Sequence, residues 1–88
     1  MAITFLNPTR QFDSTVNCMR FCGHDGAIEV SFFLEVEALT KICPAFKQIE
    51  SEILDAFDQR LKKIHKVASK VYKRNKRTYV CTLTGADF

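Results

Sequence analysis

Across residues 48–74 the apolar positions recur at steps of three and four: Leu54, Phe57, Leu61, Ile64, Ala68 and Val71. That spacing lines one face of a 3.6-residue helix, and Ile53, Val67 and Tyr72 widen the stripe. No Gly or Pro interrupts it, so the pattern predicts one amphipathic helix of roughly 40 Å at about 1.5 Å per residue. That is longer than the body of so small a domain. The expectation is that one end projects, or that a second chain covers the exposed part of the stripe.

Upstream the period changes to two. Ile3, Thr4, Phe5 and Leu6 have the β-branched and aromatic character of a short first strand, ended by Asn7-Pro8-Thr9, and residues 10–14 read as a connection. Two extended runs, 15–22 and 27–34, then flank Gly23-His24-Asp25-Gly26, which reads as a β-hairpin loop. In the second run Ile28, Val30, Phe32 and Leu34 alternate with Glu29, Ser31, Phe33 and Glu35, so the first set should face the core. Phe33 breaks the polar side; it reads as cover for a sheet edge or as a surface that meets another chain. From Glu35 the spacing suits a short helix through Val36, Ala38, Leu39 and Ile42, stopped by Pro44. Asn75 signals the end of the long helix, residues 78–84 compose a last strand, and Gly85 begins a short tail. The predicted fold is α+β in two layers: a small, mostly antiparallel sheet of strand, hairpin and final strand, with a short and a long helix packed on one face.

Eighty-eight residues make a single domain, spanning 1–88, with room for one modest core. Hydrophobic residues at 47% and charged residues at 26% are ordinary globular values and argue against disorder and against a membrane class. The apolar start, Met1 to Leu6, is too short for a signal-peptide core and has no basic residues ahead of it, which points to the cytosol. In that compartment Cys18, Cys22, Cys43 and Cys81 read as reduced thiols packed as small hydrophobes. Zinc is not expected: no C-x-x-C pair occurs, and Cys18 and Cys22 lie about 13 Å apart if extended.

Charge changes the picture along the long helix. Glu50, Glu52, Asp55 and Asp58 occupy its first half, and nine of the thirteen Lys and Arg residues fall between Arg60 and Arg77. The helix macrodipole favours that order without any partner. Lys63, Lys66, Lys70, Lys73 and Arg77 nevertheless step by three and four and form one basic stripe opposite the apolar one, a face that could lie along a phosphate backbone with Tyr79 beside it. Arg60 follows Phe57 by three and precedes Ile64 by four, so it borders the buried stripe. A partly covered guanidinium there reads as an anion site or, with more weight, as half of an internal ion pair with an acid of the sheet or tail.

Catalytic chemistry finds no carrier. The two histidines fall in the expected hairpin loop (His24) and on the lysine-rich helix (His65), where each reads as an inert turn or solvated residue without an identifiable Ser, Cys or acid partner. No glycine-rich phosphate loop, H-E-x-x-H or acidic metal loop occurs, so neither catalytic residues, nor a metal, nor a cofactor is assigned.

The order of its pieces makes the chain resemble a family of short bacterial proteins catalogued as domain of unknown function 1488. The likeness is carried by Ile3-x-Phe5, the hairpin, Glu37-Ala38-Leu39, Phe57, Arg60, Ile64, Ala68 and Tyr72 along the helix, and the closing Leu83-Thr84-x-x-Asp87-Phe88. It implies a two-layer α+β fold of the Shewanella-type uncharacterised protein kind and brings no activity, substrate or catalytic residue. The residues themselves favour a small non-enzymatic interaction module or homodimer, with an electrostatic, largely sequence-independent nucleic-acid contact through the basic stripe as the alternative.

Overall fold

The computed structural model describes residues 3–6, 9–43, 45–75 and 79–88. Four strands form one sheet in the order β1 (Arg10–Asp13), β2 (Cys18–Asp25), β3 (Ile28–Glu35) and β4 (Val80–Leu83). The first two pairings are antiparallel and the last is parallel. Between β3 and β4 the chain crosses one face of the sheet as α1 (Val36–Ile42), α2 (Glu50–Gln59) and α3 (Leu61–Arg74), and a 3-10 turn (Gly85–Asp87) follows β4. All helices thus serve one face, and the architecture is the two-layer α+β arrangement that the patterning predicts.

The alternation of β3 sets the core. Val30, Phe32 and Leu34 are fully buried, joined by Met19 and Phe21 from β2 and Cys81 and Leu83 from β4. Ile53, Ala56 and Phe57 of α2 and Ile64, Ala68 and Val71 of α3 close on them. Ile28 departs from the expected inward set and is 46% exposed, because it sits beside the turn, where the sheet ends.

The single long helix is not formed. The axis breaks at Arg60, whose backbone (φ −113°, ψ 19°) leaves the helical region. Hydrogen bonding continues across the break: Arg60 N–H is shared between Ala56 and Phe57 carbonyls at 3.2 and 3.1 Å, and Ile64 N–H reaches the Arg60 carbonyl at 3.0 Å. No local breaker causes this. A straight rod would carry one end of its apolar stripe past the sheet, whereas the bend lets both halves reach it. The stripe is therefore covered by the chain itself, and neither a projecting end nor a second chain is needed.

The N-terminal segment also differs from expectation. Residues 3–6 make only one bridge, in which Thr4 and His24 exchange N–H to carbonyl bonds of 2.8 and 2.7 Å. The true first strand is the stretch read as a connection, Arg10–Asp13, held by Phe12 against the core and by Arg10, whose Nε and Nη2 fork onto Asp58 of α2 at 2.8 Å each. From Thr4 to Arg10 the chain advances six residues while β2 advances three, so the two stretches cannot be one regular strand. The hairpin is tighter than expected as well. Its loop is Gly26-Ala27 alone, with Gly26 at φ 63°, the conformation that a two-residue turn with glycine first requires. Gly23, His24 and Asp25 belong to β2.

Gly23 faces the core where Ile3 and Phe5 cross β2: a Cβ there would stand 2.9 Å from Ile3 Cδ1 and 2.9 Å from Phe5 Cε1. Gly23→Ala is expected to cost about 1 kcal/mol, the low end for overpacking because the Ile3 tip can move. Urea unfolding measures that loss. It should come with displacement of Phe5 from the His65 ring, visible as a change in the His65 ring-proton shifts that Gly26→Ala does not produce.

Candidate functional site

The outer strands of the sheet are β1 and β4, and their edges are defended differently. At β1 a charged residue stands at each end, Arg10 and Asp13, and Arg10 is fixed to α2. Along β4 the run Tyr79 to Gly85 holds no charge and no proline, the devices that usually protect an edge. A strand residue points its N–H and C=O to the same side, alternately left and right. Since the Tyr79 carbonyl accepts from Ser31 N–H at 2.8 Å, the main-chain groups of residues 79, 81 and 83 face β3. Those of Val80, Thr82 and Thr84 face outward.

Thr84 is closed by its own turn: its N–H donates to Asp87 Oδ2 at 2.8 Å and its carbonyl accepts from Asp87 N–H at 3.0 Å. Arg74 donates to the other Asp87 oxygen at 2.8 Å. Burial works against the Asp87 charge, yet the Thr84 N–H and the Arg74 guanidinium prevail and hold this carboxyl below the usual carboxylate range. Val80 and Thr82 have no such closure, and among the described residues their outward main-chain groups meet no strand. Beside them Tyr79 and Val80 are each 54% exposed. The uncharged run was readable in the sequence; that it would lie at an edge was not.

The basic stripe divides into two faces. Lys63, Lys66, Lys70 and Lys73 are all exposed on α3, which contains no acid, and none has an ion-pair partner among the described residues. Arg77 lies outside the described residues. His65 and Tyr72 mark one flank of α3, against Phe5, Phe21 and Asp25 on the β2 side. Lys63, Lys70 and Arg74, with half-buried Val67 between them, share the opposite flank by helical spacing, and Arg74 ties it to the segment leaving β4. Lys66 and Lys73 occupy the back of the helix.

Arg60 is exposed rather than partly covered, and no acid pairs with it among the described residues. Its Nε donates to the Ile42 carbonyl at 2.8 Å, tying the bend of the helical segment to the end of α1. The expected internal ion pair is replaced by a main-chain carbonyl, because the bend carries Arg60 to α1 instead of to the sheet. Phe33 also sits elsewhere than at an edge. It lies on the interior strand β3, on the sheet face without helices, directly across from Arg20, whose guanidinium carbon is 5.3 Å from the ring centroid. Beside it Gln11, Arg20, Cys22, Glu29 and Ser31 frame an open depression of about 160 Å³, against the roughly 300 Å³ and more of typical small-molecule sites.

His65 is not a solvated residue. Its ring stacks on Phe5 at 4.0 Å between centroids and 5° between planes, and burial lowers its pKa below the usual 6.5. His24 is a strand residue whose Nε2 lies 3.9 Å from Glu29 Oε2. Tyr72 OH donates to Asp25 Oδ2 at 2.5 Å, and that bond, with burial and the Asp25 charge behind it, pushes the phenol up to about 12. Cys18, Cys43 and Cys81 are buried and Cys22 half-buried, and none of the four forms a disulfide. Burial raises the Cys18 and Cys81 thiols, so neither is an activated nucleophile. Among the described residues no three His, Cys, Asp or Glu side chains gather where a metal could bind, and no helix is long and apolar enough to cross a membrane.

Comparison with known proteins places this geometry among relatives. A family model described as protein of unknown function (DUF1488) matches residues 3–83. A solved structure from Shewanella loihica PV-4, described as a protein of unknown function from the DUF1488 family, superposes with a TM-score of 0.81. The match covers 93% of this chain and 91% of that one at 13% identity, a likeness of fold. No curated protein matches.

Two measurements follow from the side-chain geometry. Arg60→Met removes the donor to Ile42 and should lower stability by about 1 kcal/mol in denaturant, the worth of a single hydrogen bond. For His65, a folded pKa below the unfolded one means that the unfolded chain binds the proton more readily. The associated stability is fully present above about pH 6.5 and falls as pH drops from there toward the lowered folded value. Phe5→Ala should move the His65 titration, followed by NMR, back toward 6.5 and flatten that dependence.

Proposed function

Because the chain belongs to the DUF1488 family, whose description carries no activity, we propose a function from the geometry alone: a small, non-enzymatic protein-interaction module that engages an extended segment at the β4 edge. The observation that carries this reading is the pair of outward main-chain sites at Val80 and Thr82, on an uncharged strand beside exposed Tyr79 and Val80. Such an edge adds a strand from another chain through backbone bonds, and neighbouring apolar side chains supply the contact area. The non-enzymatic part is supported by shallow depressions, thiols raised by burial and histidines engaged in stacking or strand pairing. A cytoplasmic setting suits four cysteines that form no disulfide.

A nucleic-acid contact through Lys63, Lys66, Lys70 and Lys73 has one observation in its favour, the lack of ion-pair partners for these lysines among the described residues. Solvated lysines on the outer face of a packed helix satisfy that observation equally. The edge, by contrast, has no such internal account.

Selection of random heptapeptides on the immobilised protein tests the edge. Wild type should enrich β-branched and aromatic sequences, and Val80→Lys, which places a charge on the edge and leaves the core untouched, should lose that enrichment. Equal selection on both proteins would count against this surface.

A further inference from the structure

The flank of α3 above the β4 edge narrows the kind of segment that fits there. Lys63, Lys70 and Arg74 lie along it, about 10 Å and 6 Å apart by helical rise, and Arg74 is bound to Asp87 just beyond β4. Lys63 and Lys70 have no acidic neighbour on α3 and no ion-pair partner among the described residues. An added strand advances about 3.3 Å per residue, with alternate side chains toward the helix layer, so a six-residue segment spans the ridge.

We propose that the β4 edge takes an acidic, extended peptide segment of another protein, added as a fifth strand with its carboxylates toward Lys63 and Lys70. The inference rests on the edge reading above and adds the chemistry of the partner. Charge decides among the occupants. A second copy paired strand to strand through β4 about a twofold axis would bring its own Lys63–Lys70 flank against this one, with no acid on either helix to relieve the repulsion. A nucleic acid would use the lysines but leave the outward N–H and C=O groups of Val80 and Thr82 and the apolar surface of Tyr79 and Val80 unanswered. An acidic strand meets both sets of groups. Thr84, whose main chain is already closed by Asp87, sets where the added strand ends.

The test uses fluorescein-labelled hexapeptides of alternating Val and Glu or alternating Val and Lys, read by anisotropy at low salt. On wild type the Val-Glu peptide should bind at least about tenfold more tightly than the Val-Lys peptide, as expected for complementary against like charge. The double variant Lys63→Glu/Lys70→Glu, exposed positions that leave the core alone, should invert that order. A Val-Glu peptide N-methylated at alternate amides keeps its charge and loses its strand donors, and it should fail to bind. Equal binding of Val-Glu and Val-Lys would overturn the acidic preference and leave the edge reading standing. Undiminished binding of the N-methylated peptide would overturn strand addition and leave only a charge contact. Absence of binding by either peptide at millimolar concentration would remove both. A DNA duplex that binds more tightly than Val-Glu, with affinity lost in Lys66→Gln/Lys70→Gln, would replace the inference with a polyanion surface.

Discussion

A helical segment running from Glu50 to Arg74 is about 37 Å long if straight, while the whole molecule measures 36 × 23 × 23 Å. Its apolar stripe can lie on a small four-stranded sheet throughout only if its axis bends. The bend at Arg60 meets that constraint, and much else depends on it. It sends α2 over the β1 side, where Asp58 receives Arg10, and α3 toward β4, where Arg74 reaches Asp87. It also brings the Arg60 guanidinium to the end of α1. Because the bend lets the chain cover its own stripe, the outward main-chain groups that stay unpaired among the described residues lie on the sheet rather than on the helices.

The covered face is tightly specified and the other is sparse. Gly23 is held small by Ile3 and Phe5, which cross β2 and place the Phe5 ring on His65. On the opposite face Arg20 lies over Phe33, giving the odd apolar residue of β3 a local partner. The sheet's least defended feature is thus its β4 margin. There the parallel pairing with β3 leaves alternate main-chain groups turned outward, and among the described residues only Thr84 is closed, by the turn that follows.

Sequence patterning by itself determined the layer arrangement. The period of two from Val30 to Glu35, the period of 3.6 in the two helical halves and the short helix after Glu35 all survive in the structure, because each records which side chains must leave water. The resemblance carried by Phe57, Arg60, Ile64, Ala68 and Tyr72 agrees with the family match over residues 3–83, which stops short of the closing Asp87-Phe88. The basic character of α3 was equally plain, since charge on an exposed helix face needs no tertiary knowledge to be counted.

What only the tertiary structure decided were the features that depend on where elements end and meet. The break at Arg60 has no local breaker and follows from the size of the sheet. Arg10–Asp13 became a strand because Phe12 packs on the core and Arg10 reaches Asp58, 48 positions away, a contact that no local pattern announces. His24 left its expected loop because the turn shrank to Gly26-Ala27. The candidate site needed most of all a fold to exist: Tyr79 to Thr84 reads as an ordinary strand, and whether its outer groups are paired depends on which strand becomes the last one in the sheet.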